Sequence, residues 1–362
     1  GYFTSWGIYQ RNFQVYDIPG DKLTHVNYAF ANIDKDSREC IRGDIWSDDA
    51  NFRLIPALKE KYPHLKLLIS VGGWTFSGSF SDAALTEESR QRLVRSCLNL
   101  FIVHYGDSFD GVDIDWEFPV SGGRPGNVER PEDRENFTLL LQEFRRQLDG
   151  LGQRNGKHYL LTIAAPASPQ VIPNFDLPGI IQVVDWINLM GYDFHGGWDK
   201  TTNLNAPLYA TARDPSPAGF NVDAAVRAYL DGGVPAGQLV LGVPFYGRGW
   251  AGVADVDHGL YQATTYLPRG TWGEAGVFDY KDLVSNYGEA KGFARYWQEE
   301  AQVPWLFNPQ KGIMISYEDP ESIGAKADYV LEHGLGGMMF WELTCDGGVL
   351  LEVIAQKMKS AP

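Results

Sequence analysis

Residues 110–117 read DGVDIDWE, four carboxylates in eight positions with Val, Ile and Trp set between three of them. Acids this dense repel one another, and Val, Ile and Trp suit a covered strand better than a solvated loop. Side chains two apart on a strand share a face. Asp113, Asp115 and Glu117 therefore point one way, and Val112, Ile114 and Trp116 the other. An apolar row calls for a covering layer, which leaves the acids pointing into an interior with no cation interleaved. Asp110 has the wrong parity to join them unless Gly111 permits a bulge.

Such a strand needs an architecture that has an interior. Eight β-branched or apolar runs punctuate the chain: YFTSW, THVNYAFANI, LKLLISVGG, GVDIDWEF, YLLTIAAPA, VVDWINLMGYD, QLVLGVPFYG and GGMMFWEL. Amphipathic segments separate most of them. TEESRQRLVRSCLNLFIVHYG opens on Thr86 as an N-cap with Glu87 and Glu88 in its first turn, and RPEDRENFTLLLQEFRRQLDGLG carries Pro131 where a first turn tolerates it. Strands alternating with helices imply parallel pairing, and eight such units imply a (β/α)8 TIM barrel. A doubly wound open sheet is the main competitor, but the glycine-rich phosphate-cradling signatures are missing. The rhythm breaks between the seventh and eighth strands, where a Gly- and aromatic-rich interval is too long for an ordinary loop. The expectation is an α+β insertion at residues 248–315 forming a wall of a cleft, with 1–247 and 316–362 making the barrel.

Composition narrows the partners. The formal charge of −15 over 362 residues argues against nucleic acid and anionic membranes, which would repel this surface at long range. No apolar run is long enough to span a bilayer. Aromatic residues make up 13%, with 11 Trp, and a surplus of Trp beside polar loops suits a ligand with flat apolar faces and hydroxyl edges, such as a sugar ring. Cys40, Cys97 and Cys345 permit at most one disulfide, and buried free thiols are the expectation. The opening GYFTSW reads as strand, not as a targeting segment.

Strand rise separates Asp113 from Glu117 by roughly 13 Å, with Asp115 midway. Three ionised carboxylates in a poorly solvated column are costly, so the column should share protons, with at least one pKa raised. A proton on the outermost member is what a general acid needs near neutral pH. Glu117 lies nearest the C-terminal end of its strand, where barrel enzymes place their active sites. A metal site is the other use for clustered acids, but neither a calcium loop nor an H-E-x-x-H pair is present.

DGVDIDWE resembles the D-x-x-D-x-D-x-E signature of family 18 glycoside hydrolases, the chitinases and their relatives. SVGG at Ser70–Gly73 resembles that family's S-x-G-G motif, with Ser70, Gly72 and Gly73 as its structural members. MGYD at Met190–Asp193, FYGRGW at the seventh strand and FWE at the eighth resemble its later motifs, so the likeness covers nearly the whole chain. It implies hydrolysis of chitin or chitooligosaccharides with retention of configuration, the sugar's own 2-acetamido oxygen acting as nucleophile. Glu117 matches the general acid/base, Asp115 the residue that orients the acetamido group, Asp113 its inner partner and Asp110 a buried structural member. Tyr192 matches the hydroxyl on the acetamido oxygen, Asp193 a contact to the distorted sugar and the acid, Trp341 the indole floor under the sugar at the cleavage point, and Met190 a further substrate contact. Trp74 and Trp198 match stacking positions, Tyr246 and Arg248 polar wall contacts, and Tyr2 and Phe30 the cleft floor. His195 is expected to order its loop through a hydrogen bond.

The resemblance implies no metal or cofactor, a monomer, and secretion to reach an extracellular polymer. The family also contains non-hydrolytic lectins in which the acid is replaced, and enzymes that cleave the chitobiose core of N-glycans. Retention of Glu117, Asp115, Asp113 and Tyr192 favours an enzyme. The insertion and the Trp74/Trp198 pair favour a long β-1,4-linked N-acetylglucosamine polymer.

Overall fold

The computed structural model describes residues 1–359. Eight parallel strands follow one another along the chain: β1 (Tyr2–Thr4), β2 (His25–Ile33), β4 (Lys66–Gly72), β5 (Gly111–Asp115), β6 (Leu160–Pro166), β7 (Trp186–Met190), β8 (Leu239–Pro244) and β14 (Gly337–Trp341). Each falls inside one of the eight runs read from the sequence. A short β3 (Cys40–Arg42) pairs antiparallel with Ala31–Ile33 of β2. Between the last two parallel strands lie β9 (Tyr246–Ala251), β10 (Val277–Asp279), β11 (Ala294–Gln298), β12 (Val303–Asn308) and β13 (Ile313–Ser316). These five make an antiparallel sheet of order β10-β9-β13-β12-β11. The fold class is a (β/α)8 barrel with an additional antiparallel sheet.

The chain forms two compact units. One comprises Gly1–Pro166, Gln170–Asn188 and Asp231–Leu239, and the other Ala167–Pro169, Leu189–Leu230 and the residues from Val240 onward. In the first, β5 is flanked by β4 and β6, with Ser70 and Thr162 in register on either side of Asp113. The parity read from the sequence decides what β5 buries. Val112, Ile114 and Trp116 are at most 1% exposed. The Trp116 indole stacks on Phe80 at 5.2 Å and meets Phe137, on the helix Asp133–Asn155, edge-on at 5.4 Å. Each such side chain stabilises by about 1.5–3 kcal/mol on burial.

The helix Glu87–Cys97 starts as its sequence dictates, with Thr86 Oγ1 accepting from Ser89 N–H at 3.1 Å and both glutamates in the first turn. A wide-turn segment, Leu98–His104, follows it directly. The helix Asp133–Asn155 begins two residues after Pro131, so that proline precedes the first turn instead of sitting in it; Gly156 ends the helix at φ 71°. The expected free thiols need correction: Cys40 and Cys97 form a disulfide, and Cys345 stays outside it. Edge strand β3 folds back on β2 and brings Cys40 within 4.9 Å, Cα to Cα, of the helix end 57 residues later.

In the second unit β8 and β14 pair in parallel, Trp341 opposite Pro244. The antiparallel sheet packs a core of Trp250, Val303, Trp305, Phe307 and Met314. The buried Lys326 ammonium donates to Ala206 O at 2.6 Å and pairs with the Glu318 carboxylate, which also accepts from Ser322 Oγ at 2.7 Å.

Candidate active site

Asp113 lies at the bottom of the acidic column, wholly buried, and four donors converge on it. Its Oδ2 accepts from Tyr2 OH and Ser70 Oγ, both at 2.8 Å. Its Oδ1 accepts from Thr162 Oγ1 at 2.6 Å and Asn188 Nδ2 at 3.3 Å. These come from β1, β4, β6 and β7, so four strands spend a side chain on one carboxylate. Burial pushes the Asp113 pKa up, and the four hydrogen bonds pull against that rise. Two donors on each oxygen saturate the Asp113 carboxylate. Its charge is solvated by hydroxyls and an amide instead of water.

Asp115, two residues on, is treated oppositely. It is 3% exposed, and its Oδ1 is buried with no hydrogen-bond partner. Burial, then Glu117, then Asp113 raise its pKa well above the ordinary carboxylate range. The middle of the column is thus where burial and neighbouring charge weigh most heavily against an ionised carboxylate. β5 ends at Asp115, and Glu117 follows on a half-buried turn. Ser77 Oγ accepts from Glu117 N–H at 2.8 Å and donates to Gly73 O, while Asn127 Nδ2 donates to Glu117 O at 3.0 Å. Neither Ser77 nor Asn127 was singled out from the sequence. Their signal is positional only, a serine after the SVGG motif and an asparagine ending a glycine-rich turn. The peptide bonds Ala29–Phe30, Glu117–Phe118 and Trp341–Glu342 are cis.

The SVGG motif supplies close approach. A Cβ on Gly72, at φ 111°, would lie 2.2 Å from Asp115 O, and one on Gly73 would strike the Phe30 ring at 2.6 Å. Ser70 is a donor to Asp113, and Trp74 beyond the motif is 47% exposed. Two expectations shift here. Tyr2 is only 1% exposed and its hydroxyl donates to Asp113, so it supports the acid from beneath. Asp110 is not buried: at the foot of β5 its Oδ2 accepts from Lys59 Nζ at 2.8 Å and Leu67 N–H at 2.9 Å. It ties β5 to the start of β4 and takes no part in the column. Phe30 is 8% exposed, largely covered.

The second unit carries the other candidates. Met190 ends β7 half-buried, and Tyr192 follows it, its hydroxyl 4.0 Å from Met339 Sδ. Asp193, at φ 56°, is gripped by three donors: Tyr246 OH and Arg248 Nε at 2.8 Å on Oδ1, and Arg248 Nη2 at 2.6 Å on Oδ2. Burial alone would lower the Arg248 pKa, but Asp193 outweighs it and holds the guanidinium firmly charged. Burial and then Asp193 push the Tyr246 phenol well up. Arg248 also lies 5.2 Å over the ring of Trp198, which is 59% exposed. Asn205 holds the turn, its Oδ1 accepting from Asp193 N–H at 3.1 Å, and it too went unread in NLNAPL. His195 Nδ1 bonds Asp199 Oδ2 at 3.2 Å within its loop. Trp341, half-buried at the end of β14, accepts from Phe245 N–H through its backbone oxygen at 2.7 Å.

A barrel strand ending in a row of carboxylates, one saturated with donors and the next buried with an unpartnered oxygen, suits acid–base hydrolysis of glycosidic bonds. The family model for Glycosyl hydrolases family 18 matches residues 1–346. The chain is 44% identical to Chitinase A1 of Niallia circulans over 401 aligned positions, covering 97% of this chain and 57% of that protein. Its fold matches Chitinase ChiA74 from Bacillus thuringiensis with TM-score 0.94 at 41% identity, over 100% of this chain and 69% of that one. A family 18 N-acetylglucosaminidase from Paenibacillus barengoltzii matches with TM-score 0.86 at 37% identity, over 99% and 98% of the two chains. The chain belongs to glycosyl hydrolases family 18.

Proposed function

We propose that this glycoside hydrolase is a chitinase, cleaving β-1,4-linked N-acetylglucosamine chains with retention and no metal or cofactor. The observation that carries the mechanism is the unpartnered Oδ1 of buried Asp115, its pKa raised, between a saturated Asp113 and a half-buried Glu117. A buried polar atom without a partner costs about 1–3 kcal/mol, and a substrate acetamido N–H would supply the missing bond. Oriented there, the acetamido oxygen attacks C1 while Glu117 gives its proton to the glycosidic oxygen, breaking the C1–O bond. The positive charge of the resulting oxazolinium is stabilised by the column as proton and charge redistribute along it. Glu117, now a base, takes a proton from water as that water adds to C1, and the β-configuration returns.

Tyr192 is assigned the hydroxyl on the acetamido oxygen, Trp341 the surface under the sugar at the point of cleavage, and Trp74 and Trp198 stacking faces for further sugars. Asp193, fixed by Tyr246 and Arg248, is assigned a contact to the distorted sugar. The antiparallel strands within 246–316 are assigned further substrate contacts. Chitin as an extracellular polymer makes secretion the matching location, with the protein acting as a monomer. Release of single sugars from chain ends is the second reading, favoured by the likeness to the Paenibacillus N-acetylglucosaminidase.

Purified protein on chitohexaose, with products and their first-formed anomer followed by NMR, tests both. Initial β-anomer with oligomeric products supports the chitinase reading, and single sugars from the outset support the second. Initial α-anomer would contradict substrate assistance. Binding of the oligomer without turnover would indicate a lectin.

A further inference from the structure

Away from the acidic column, the first unit carries a concentration of cations that hydrolysis does not use. The helix Glu87–Cys97 and the helix Asp133–Asn155 border an open hollow of about 300 Å3 lined by Gln91, Arg95, Arg146, Gln147, Gly150 and Arg154. Three guanidiniums and two carboxamides line it, with no acid and no bulky apolar side chain. Gln91 and Arg95 are four apart on one helix, and Gln147, Gly150 and Arg154 recur at three and four on the other, so each helix presents one face to the space. Gln147 Nε2 donates to Gln91 O at 3.4 Å, tying the helices at the cavity's edge.

The guanidiniums differ in what they already hold. Arg146 is forked onto Glu143 at 2.6 and 2.8 Å. Arg95 and Arg154 make no ion pair or side-chain hydrogen bond among the described residues. A helix C-terminus attracts cations and would account for Arg154, in the last turn of its helix. It does not account for Arg95, because the chain passes straight into Leu98–His104 and no terminus is exposed there. Arg95 also borders a second hollow, of about 390 Å3, with Glu39, Arg92, Ser96, Asn99 and His104 on its wall. In a chain of net charge −15, two exposed arginines with no carboxylate partner among the described residues border this one hollow, a lining suited to an anion.

We propose that this two-helix cavity binds a compact, multiply charged oxyanion of the phosphate, sulfate or polycarboxylate type. Arg95 and Arg154 supply the charge and the donors, since Gln147 Nε2 already donates to Gln91 O and Glu143, and Gln91 Nε2 to Glu87. The space holds a small molecule, and the net negative charge of the whole surface disfavours a long polyanion. Guanidinium forks match tetrahedral and carboxylate oxyanions in pairs of bonds, which selects them over chloride.

The test is isothermal titration calorimetry of the full chain with pyrophosphate, sulfate and citrate at fixed ionic strength held with sodium chloride. The expected result is saturable binding of one anion per chain by at least one of the three. Arg95→Gln/Arg154→Gln should weaken it by about tenfold or more, as lost charge-assisted bonds do, with oligosaccharide hydrolysis unchanged. Gly150→Glu is the second variant. A Cβ there meets nothing within 4 Å, and glutamate forms helix better than glycine, so it places a carboxylate in the cavity without unfolding the chain. It should abolish binding. No saturable heat with any of the three anions, or unchanged affinity in both variants, overturns the proposal.

Discussion

Asp115→Asn should make the protein more stable as it removes activity, and the gain should grow with pH. The folded pKa of Asp115 is held well above its ordinary 3.8 by burial, by Glu117 and by Asp113, in that order. Above pH 3.8 the unfolded chain releases this proton while the native state keeps it, so wild-type stability falls with rising pH until the folded group also ionises. One proton of difference gives a slope of up to about 1.4 kcal/mol per pH unit. The asparagine variant carries no such term at position 115 and keeps a nearly isosteric side chain. Urea unfolding of both proteins from pH 4 to 8 measures the difference. It should be small at the acidic end, widen by up to that slope, and level off once Asp115 ionises in the wild type. A difference that is flat or narrows over the range would refute the protonated Asp115. Turnover of chitooligosaccharide by the same variant should fall by about two to three orders of magnitude, the scale of losing one transition-state electrostatic contact.

Glu117→Gln should lose about two to four orders of magnitude in kcat, since it removes general acid catalysis, while oligomer affinity measured by calorimetry stays within a few-fold. Tyr2→Phe deletes one of four donors to a buried carboxylate; chemical denaturation should show a loss of about 1.5–3 kcal/mol with the ring retained. Cys40→Ser/Cys97→Ser should cost up to about 4 kcal/mol, the chain-entropy value for a loop closed across 57 residues, read as a lowered urea midpoint with an unchanged initial rate. Lys326→Met should destabilise by about 3–5 kcal/mol by stranding Glu318, and adding Glu318→Leu should restore most of that loss in the same unfolding experiment.

Period-two alternation and strand-to-helix rhythm depend on the local chain, and that is why DGVDIDWE, the eight parallel strands and the barrel class were legible before any coordinate. Val112, Ile114 and Trp116 had to be covered, whatever covered them. Asp113, Asp115 and Glu117 had to face inward together, and their crowding had to keep a proton in the column. Local pattern does not say where the proton rests. That depends on donors from β1, β4, β6 and β7 that meet at Asp113 and on none reaching Asp115 Oδ1, a partition set across up to 111 residues of sequence separation. Nothing in the sequence around Tyr2 shows that its hydroxyl donates to Asp113, 111 residues away. Cys40 and Cys97 read as free thiols because β3, the edge strand that brings them together, carries no periodic signal of its own. The sequence by itself determined the class of fold and the identity of the acids. Only the tertiary structure decided which acid is solvated by protein and which is left waiting for a partner, because hydrogen-bond satisfaction is a property of strands brought side by side.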